Sequence, residues 1–363
     1  MTHKLVARAL ALLFPIAAAL FAQDWDWQLP NGIPRPAVPA DNPMTAAKVD
    51  LGRHLFYDKR MSVNGAGGCA SCHLQELAFT EGHAHPASVV GDVHPRGSMS
   101  LVNVAYVPSL NWAHSGASSL EEQALVPLLG IDPIIELGLL DHEQEFFDML
   151  RGDATYRRLF PQAFPGEPVS LKNVTKALAA FERSIVSMRS PYDRYKFGGE
   201  ASAISASAKR GEALFTSTGC AQCHSGFNFE AVRVEGQPAD PGSGIFFNTG
   251  LAYEAPNRGL YENTGRFDDF GRFRAPTLRN IAVTDPYMHD GSMASLEEVI
   301  EHYASGGGFN QNNKTPILRP FTVTDQEKDD LVEFLKTLTD QELLHDKRWS
   351  DPWPAGATDK VIY

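Results

Sequence analysis

All four cysteines of the chain fall in two copies of one pattern, Cys69-Ala70-Ser71-Cys72-His73 and Cys220-Ala221-Gln222-Cys223-His224. Two thiols separated by two residues can add to the two vinyl groups of a haem. A histidine that follows at once can bring its imidazole under the ring to bind iron. Other chemistries of paired thiols fit less well. A thioredoxin-like redox pair needs neither a second copy nor a histidine after each copy. A four-cysteine zinc site uses such pairs, but both would not then end in His. A disulfide closed within Cys-x-x-Cys stabilises little, because its loop is so short. The pattern predicts two covalently attached haem c groups, with His73 and His224 as iron ligands.

Each motif follows a helical pattern. Gly52-Arg-His-Leu-Phe56 precedes the first and Gly211-Glu-Ala-Leu-Phe215 the second, a weak internal repeat of two cytochrome-like units. Val174, Leu178, Phe181 and Ile185 recur at helical spacing within 169–188, behind Ser170 as cap, and Ser190-Pro191-Tyr192-Asp193 is expected to end that helix. Ser295-Leu-Glu-Glu298 reads as a capping box for a helix running to about Ser305, where Gly306, Gly307 and Gly308 stop it. Another helix follows Thr324 and covers 329–338. Strand signals are few, and 30 Gly with 24 Pro predict long loops. The expected fold class is mostly α, with two cytochrome c-like haem domains and long loops. The first is placed at 45–190 and the second at 191–363 with a C-terminal tail, behind an irregular Pro-rich arm at 23–44.

Met1 to Arg8 is short and basic, and an apolar run follows from Ala9 to Ala22. That order reads as a secretory signal peptide over 1–22, cleaved after Ala19 or Ala22; a buried N-terminal helix is the alternative. No later segment is apolar enough to cross a membrane. A periplasmic location is expected for a Gram-negative source. The net charge of −12 argues against nucleic acid or anionic membrane as partner.

The chain resembles one family over nearly its whole mature length, the bacterial di-haem cytochrome c peroxidase and MauG group. The resemblance is carried by Cys69–His73 followed by Ala78-Phe-Thr80, by Trp112, and by Leu120-Glu-Glu-Gln-Ala124. It continues through 133–138, Cys220–His224, Ala275-Pro-Thr-Leu-Arg-Asn280 and Pro286-Tyr-Met-His-Asp-Gly291. Leu29-Pro-Asn-Gly-Ile-Pro34 and Asp41-Asn-Pro-Met44 are similar to the MbnH-type branch. That branch is implied to oxidise tryptophan in a secreted, copper-binding, MbnP-like companion.

The family's peroxidases bind the second haem with a methionine fourteen residues after the histidine of a Pro-Tyr-Phe-His motif. Fourteen residues after His289 stands Tyr303, as in MauG. A thioether stabilises Fe(II), whereas a phenolate is a hard anion that favours Fe(III) and tolerates Fe(IV). The resemblance thus implies Tyr303 as ligand; Met288 or Met293 with Tyr303 merely packed is the alternative. At the first haem, Asp92 or a deletion falls where many members carry a blocking histidine, which implies an open site on His73. His83, His85 and His94 are near in sequence, so a ligand switch stays open.

The resemblance places Glu136 and Gln123 in the distal pocket, with Pro127 shaping it. Glu136 is the implied general acid/base, since a buried carboxylate has a raised pKa; an exposed loop carboxylate is the plain alternative. His114 is either pocket support or a surface histidine. Trp112 resembles the family's tryptophan between the two haems, where a core indole is the ordinary reading. His289 is expected at a haem propionate or the domain interface, with capping of a local turn as alternative. Thr284 and Pro286 match carbonyl ligands of a calcium ion, although Gly97 stands where the peroxidases have asparagine.

The implied enzyme is an oxidase driven by hydrogen peroxide. It would form a bis-Fe(IV) state and oxidise residues, tryptophan above all, of a partner protein by long-range electron transfer. MauG has a tryptophan exit two residues before its second haem motif; Thr218 stands there, which implies another exit and a substrate other than methylamine dehydrogenase. One rival is a peroxide-scavenging peroxidase fed by a small cytochrome or cupredoxin, against which Tyr303 speaks. The other is a non-enzymatic electron-transfer cytochrome, against which Gln123 and Glu136 speak.

Overall fold

The computed structural model describes residues 25–114, 116–130, 134–230, 232, 245–251, 257–308 and 313–359. The expected signal peptide lies outside the described residues. The helices are α1 Ala46–Tyr57, α2 Leu120–Gln123, α3 Leu125–Leu129, α4 Glu143–Gly152, α5 Ala154–Ala163, α6 Leu171–Ser184, α7 Pro191–Lys196, α8 Ala206–Ser217, α9 Tyr261–Thr264, α10 Leu296–Ala304 and α11 Asp325–Lys336. Among the described residues the one sheet is a two-residue antiparallel pair, β1 Phe246–Phe247 with β2 Phe273–Arg274. The fold is mostly α.

Two helix pairs repeat one packing. In α1, a Cβ on Gly52 would collide with the Ala177 carbonyl oxygen of α6 and lie 2.8 Å from Phe181 Cβ. In α8, a Cβ on Gly211 would collide with the Asp330 carbonyl oxygen of α11 and lie 2.7 Å from Phe334 Cβ. One turn on in each first helix, a phenylalanine meets the partner's: Phe56 on Phe181 at 5.0 Å and Phe215 on Phe334 at 5.3 Å between centroids. The repeated Gly-x-x-x-Phe therefore marks where the helix backbones touch. It aligns the residues just upstream of each haem motif.

The two pairs sit in separate cores. One gathers Leu51, Leu55, Phe56, Leu128, Leu178 and Phe181 with their neighbours, and the other Phe215, Phe229, Leu296, Leu331 and Phe334. The sequence reading put the C-terminal tail with the second domain, whereas Leu343, Leu344 and Trp349 belong to the first core. Buried Gln75 anchors that return by donating to the carbonyls of Leu343 and Asp346. The arm at 25–44 carries no helix and is pinned at its polar points, with the Tyr106 hydroxyl donating to Pro34 O at 2.8 Å.

Several element ends differ from the sequence reading. Helix α6 stops at Ser184 instead of Met188, because Asn103 recruits the following backbone: Asn103 N donates to Ile185 O and Ser187 N donates to Asn103 Oδ1, both at 2.8 Å. Ser190 to Asp193 does not simply end a helix. Ser190 caps α7, with Pro191 in its first turn and a reciprocal bond from Ser190 N to Asp193 Oδ2 at 2.9 Å. Ser295 caps α10, but Glu298 reaches one residue further back and accepts from Ala294 N. The full box forms at Thr324 and Glu327, so α11 starts at Asp325, ahead of the expected 329.

Candidate active site

Each Cys-x-x-Cys-His motif forms one 3-10 turn, Cys69–Ser71 and Cys220–Gln222, that brings its histidine backbone N–H onto the first cysteine's carbonyl. A second turn then returns to the imidazole. Ala78 and Phe79 both adopt left-handed backbone (φ 52° and 60°), which aims Phe79 O at His73 Nδ1, 2.8 Å away. Phe229 (φ 53°) does the same for His224 Nδ1 at 3.1 Å. Such backbone is uncommon for bulky residues and is held where the surroundings over-determine it. Nδ1 donating to a carbonyl fixes the tautomer that leaves Nε2 as a lone-pair donor. Burial also lowers both imidazole pKa values, which keeps them in the neutral, metal-binding form.

The four thiols are free of disulfides, and burial raises Cys72 to about 12 and Cys223 to about 11. The second motif opens on a large, mainly apolar cavity whose walls include Phe215, Cys220, Cys223, His224, Tyr303 and Leu331. Paired thiols, a buried neutral imidazole whose Nδ1 is held by a carbonyl, and apolar walls are the donor set a covalent haem needs. The residues fit the group. Tyr303, on the last turn of α10, faces the same cavity as His224. Burial, followed by the thiols of Cys223 and Cys220, pushes its phenol well above the ordinary value. Its ionisation would need a cation in that cavity.

At the first site Glu136 lies half-buried, its carboxylate 3.5 Å from His94 Nε2. Burial and then the neighbouring Glu81 carboxylate raise Glu136 to about 7. Pro127, in α3, accepts from Leu137 N at 2.9 Å and so fixes the turn that presents Glu136. Gln123 ends α2, and Asn111 Nδ2 donates to its Oε1 at 2.9 Å. The structure thus joins Gln123 to the Trp112 neighbourhood and Glu136 to His94. Asp92 is engaged elsewhere, accepting from Ile135 N at 3.0 Å. His83 and His85 are exposed, as is His114, whose Nδ1 accepts from Gly116 N; His114 shapes a surface turn and does not support the pocket.

Trp112 occupies the seam between the two sites. Its indole donates to Gly97 O at 2.8 Å, and its own carbonyl accepts from Arg274 N at 2.7 Å. Arg274 is buried and held by Glu230 at 2.6 Å. His289 meets Trp112 edge-on at 6.5 Å and lies flat on Phe273, ring centroids 3.5 Å apart. Its Nε2 is buried without a hydrogen-bond partner among the described residues, as a group awaiting a propionate would be, and burial lowers the imidazole to about 4. Thr284 and Pro286 line the same seam near Gly97, whose carbonyl the indole already occupies. Among the described residues no cluster of three His, Cys, Asp or Glu gathers to hold a metal.

Sequence reasoning missed Glu81. Its side chain is buried, accepts from Ser98 N at 3.0 Å and acts electrostatically on both Cys72 and Glu136. Its place directly after Ala78-Phe-Thr80 was the available signal. The seam partners Phe273, Arg274 and Glu230 were missed as well, because nothing local marks an Arg or Glu as buried.

Comparison with known proteins agrees with this geometry. Residues 46–202 match the family model described as di-haem cytochrome c peroxidase, and 208–339 match the cytochrome c model. Cytochrome-c peroxidase IdrP1 of Denitromonas iodatirespirans is 36% identical, across 91% of this chain and 92% of the relative. The chain belongs to the di-haem cytochrome c peroxidase family. Within that family it is also 36% identical to the methylamine utilization protein MauG of Methylorubrum extorquens, over 85% of this chain and 82% of that one. The crystal structure of a MauG-like protein associated with microbial copper homeostasis superposes with a TM-score of 0.86 at 44% identity, covering 91% of this chain and all of that one. As a member of this di-haem family the chain carries two covalent haem c groups and is a peroxide-using oxidoreductase. Among the described residues no helix is long and apolar enough to cross a membrane.

Proposed function

We propose that the protein uses hydrogen peroxide to oxidise residues of a partner protein, tryptophan first among them, with the two haem sites acting together in a bis-Fe(IV)-type oxidase. The observation that carries this reading is Tyr303 facing the cavity of His224, Cys220 and Cys223. The haems, when bound, supply the reaction with peroxide and hold its two oxidising equivalents. The chain supplies the rest. Glu136, with a pKa near 7, takes the proton from the peroxide oxygen nearer the iron and returns one to the leaving oxygen. Pro127 holds the turn that aims it, and Trp112 offers an oxidisable ring between the sites, fixed at Gly97 and at Arg274. His289 lines the seam, its buried Nε2 without a hydrogen-bond partner among the described residues.

A copper-binding secreted partner is supported by the 44% identity to the copper-associated MauG-like protein, and the signal-like N-terminus supports a periplasmic site of action. The test adds one equivalent of hydrogen peroxide to the fully oxidised holoprotein while absorption and EPR are recorded. Loss of both ferric signals with no prior reductant is the expected result. No reaction until one haem is reduced would sink the oxidase. It would favour the second reading, a peroxidase fed by a small electron donor, for which His94 beside Glu136 is the specific observation.

A further inference from the structure

Of the seven large apolar side chains that stand exposed among the described residues, five are Val90, Val93, Val126, Ile135 and Leu140. Scattered exposed apolar residues need no explanation; a contiguous set does. These five lie on three segments fastened to one another. The 86–94 loop is tied to the 134–140 loop by Asp92 accepting from Ile135 N, and by Val89 N donating to Glu136 O. That loop is tied in turn to α3, which carries Val126, by Leu137 N on Pro127 O and Leu140 N on Leu129 O. Val93 is 59% and Leu140 51% exposed, so the patch faces outward. It rims the loop that holds Glu136.

The stretch of sequence that contains the three segments is acidic. Between Arg60 and Arg151 the sequence holds eleven Asp and Glu residues and a single basic residue, Arg96, so ten of the chain's twelve net negative charges reside there. Arg96 is committed to Glu262 and Asn257, while Glu122 and Asp141 flank the patch in exposed positions.

We infer that this face docks a basic protein partner, one that presents an apolar contact ringed by lysine and arginine. The inference deepens the proposed function by giving its partner a chemistry. Opposite potentials steer such an encounter, and apolar contact then holds it. A second copy of this chain would bring the same acidic rim against itself across a two-fold axis, and an anionic lipid surface would be repelled.

The test uses the full-length holoprotein and, as probe, a basic mitochondrial cytochrome c, native or succinylated to reverse its charge. Calorimetric titration at about 20 mM and about 200 mM salt should show binding of the native probe that weakens roughly tenfold or more with salt as screening shortens. The succinylated probe should not bind. The Val93→Ser/Leu140→Ser double variant and Asp141→Lys should each weaken the native probe by about tenfold at low salt. Absence of binding at low salt, or affinity unmoved by both variants, overturns the proposal. So does self-association of the wild type that the double variant abolishes, which makes the face a contact between copies. The peroxide reaction of each protein alone is followed in parallel. Docking absent in the wild type while that reaction proceeds refutes only the docking face; the reaction absent in wild type refutes the oxidase and leaves docking to stand on the titration.

Discussion

Gly211 of α8 lies directly against the backbone carbonyl of Asp330 in α11, with no room for a Cβ between them. Asp330 is fixed there by Arg210, which reaches its two carboxylate oxygens at 2.6 and 2.7 Å, and by Ser207. Neither helix can easily withdraw. Gly211→Ala should therefore destabilise the second domain by about 1–3 kcal/mol, the usual cost of overpacking. Chemical denaturation followed at the second haem checks this. Gly52→Ala, against Ala177, should have the same effect on the first domain. A neutral result at both would mean that the helix pairs separate without strain.

Much of the protein was legible because the relevant physics is local. Cys-x-x-Cys-His needs only its own five residues, and the caps at Ser170, Ser295 and Thr324 reach only three residues ahead. What failed was set from far along the chain. The end of α6 is decided by Asn103, and the placement of the tail by Gln75. The buried state of Glu81 depends on Ser98 N, seventeen residues away. His114 shows the converse. It sits beside Trp112 in sequence, yet turns outward to a two-residue contact.

Tyr303 can be tested by exchange for the thioether that it replaces. Tyr303→Met should raise the reduction potential of the second haem, because a neutral sulfur stabilises the reduced iron and a phenolate the oxidised one. Spectroelectrochemical titration reads the shift directly. The fully oxidised variant should then leave peroxide unreacted until one haem is reduced. An unchanged potential would mean that Tyr303 only packs in the cavity wall.

Trp112 should couple the two sites without being needed at the first. Trp112→Phe removes the bond to Gly97 O and an easily oxidised ring, at a stability cost of about 1 kcal/mol. After peroxide addition the first ferric EPR signal should still vanish. The second should persist, or decay about tenfold more slowly, which corresponds to roughly 1.4 kcal/mol of added barrier. Simultaneous loss of both at the wild-type rate would exclude the indole as the connection.

Glu136 gives the most specific pH prediction, since its carboxyl holds a proton to about pH 7. A base must be ionised to take a proton, so the rate constant for the oxidised protein with peroxide should rise from acid pH, pass its midpoint near 7 and level off above it. Glu136→Gln should lower the rate about 10²- to 10⁴-fold, the range of general acid–base catalysis, and flatten the profile. Burial is the larger cause of the raised value and the Glu81 carboxylate the next, which gives the second variant its sign. Glu81→Gln removes a negative charge that opposes ionisation of Glu136, so the midpoint should move to lower pH while the plateau rate stays close to wild type. Stopped-flow rates across pH 5–9, the region either side of about 7, distinguish the cases. A midpoint unmoved by Glu81→Gln and abolished by His94→Gln would assign the titration to His94, 3.5 Å from the carboxylate, and would remove Glu136 from the role of base.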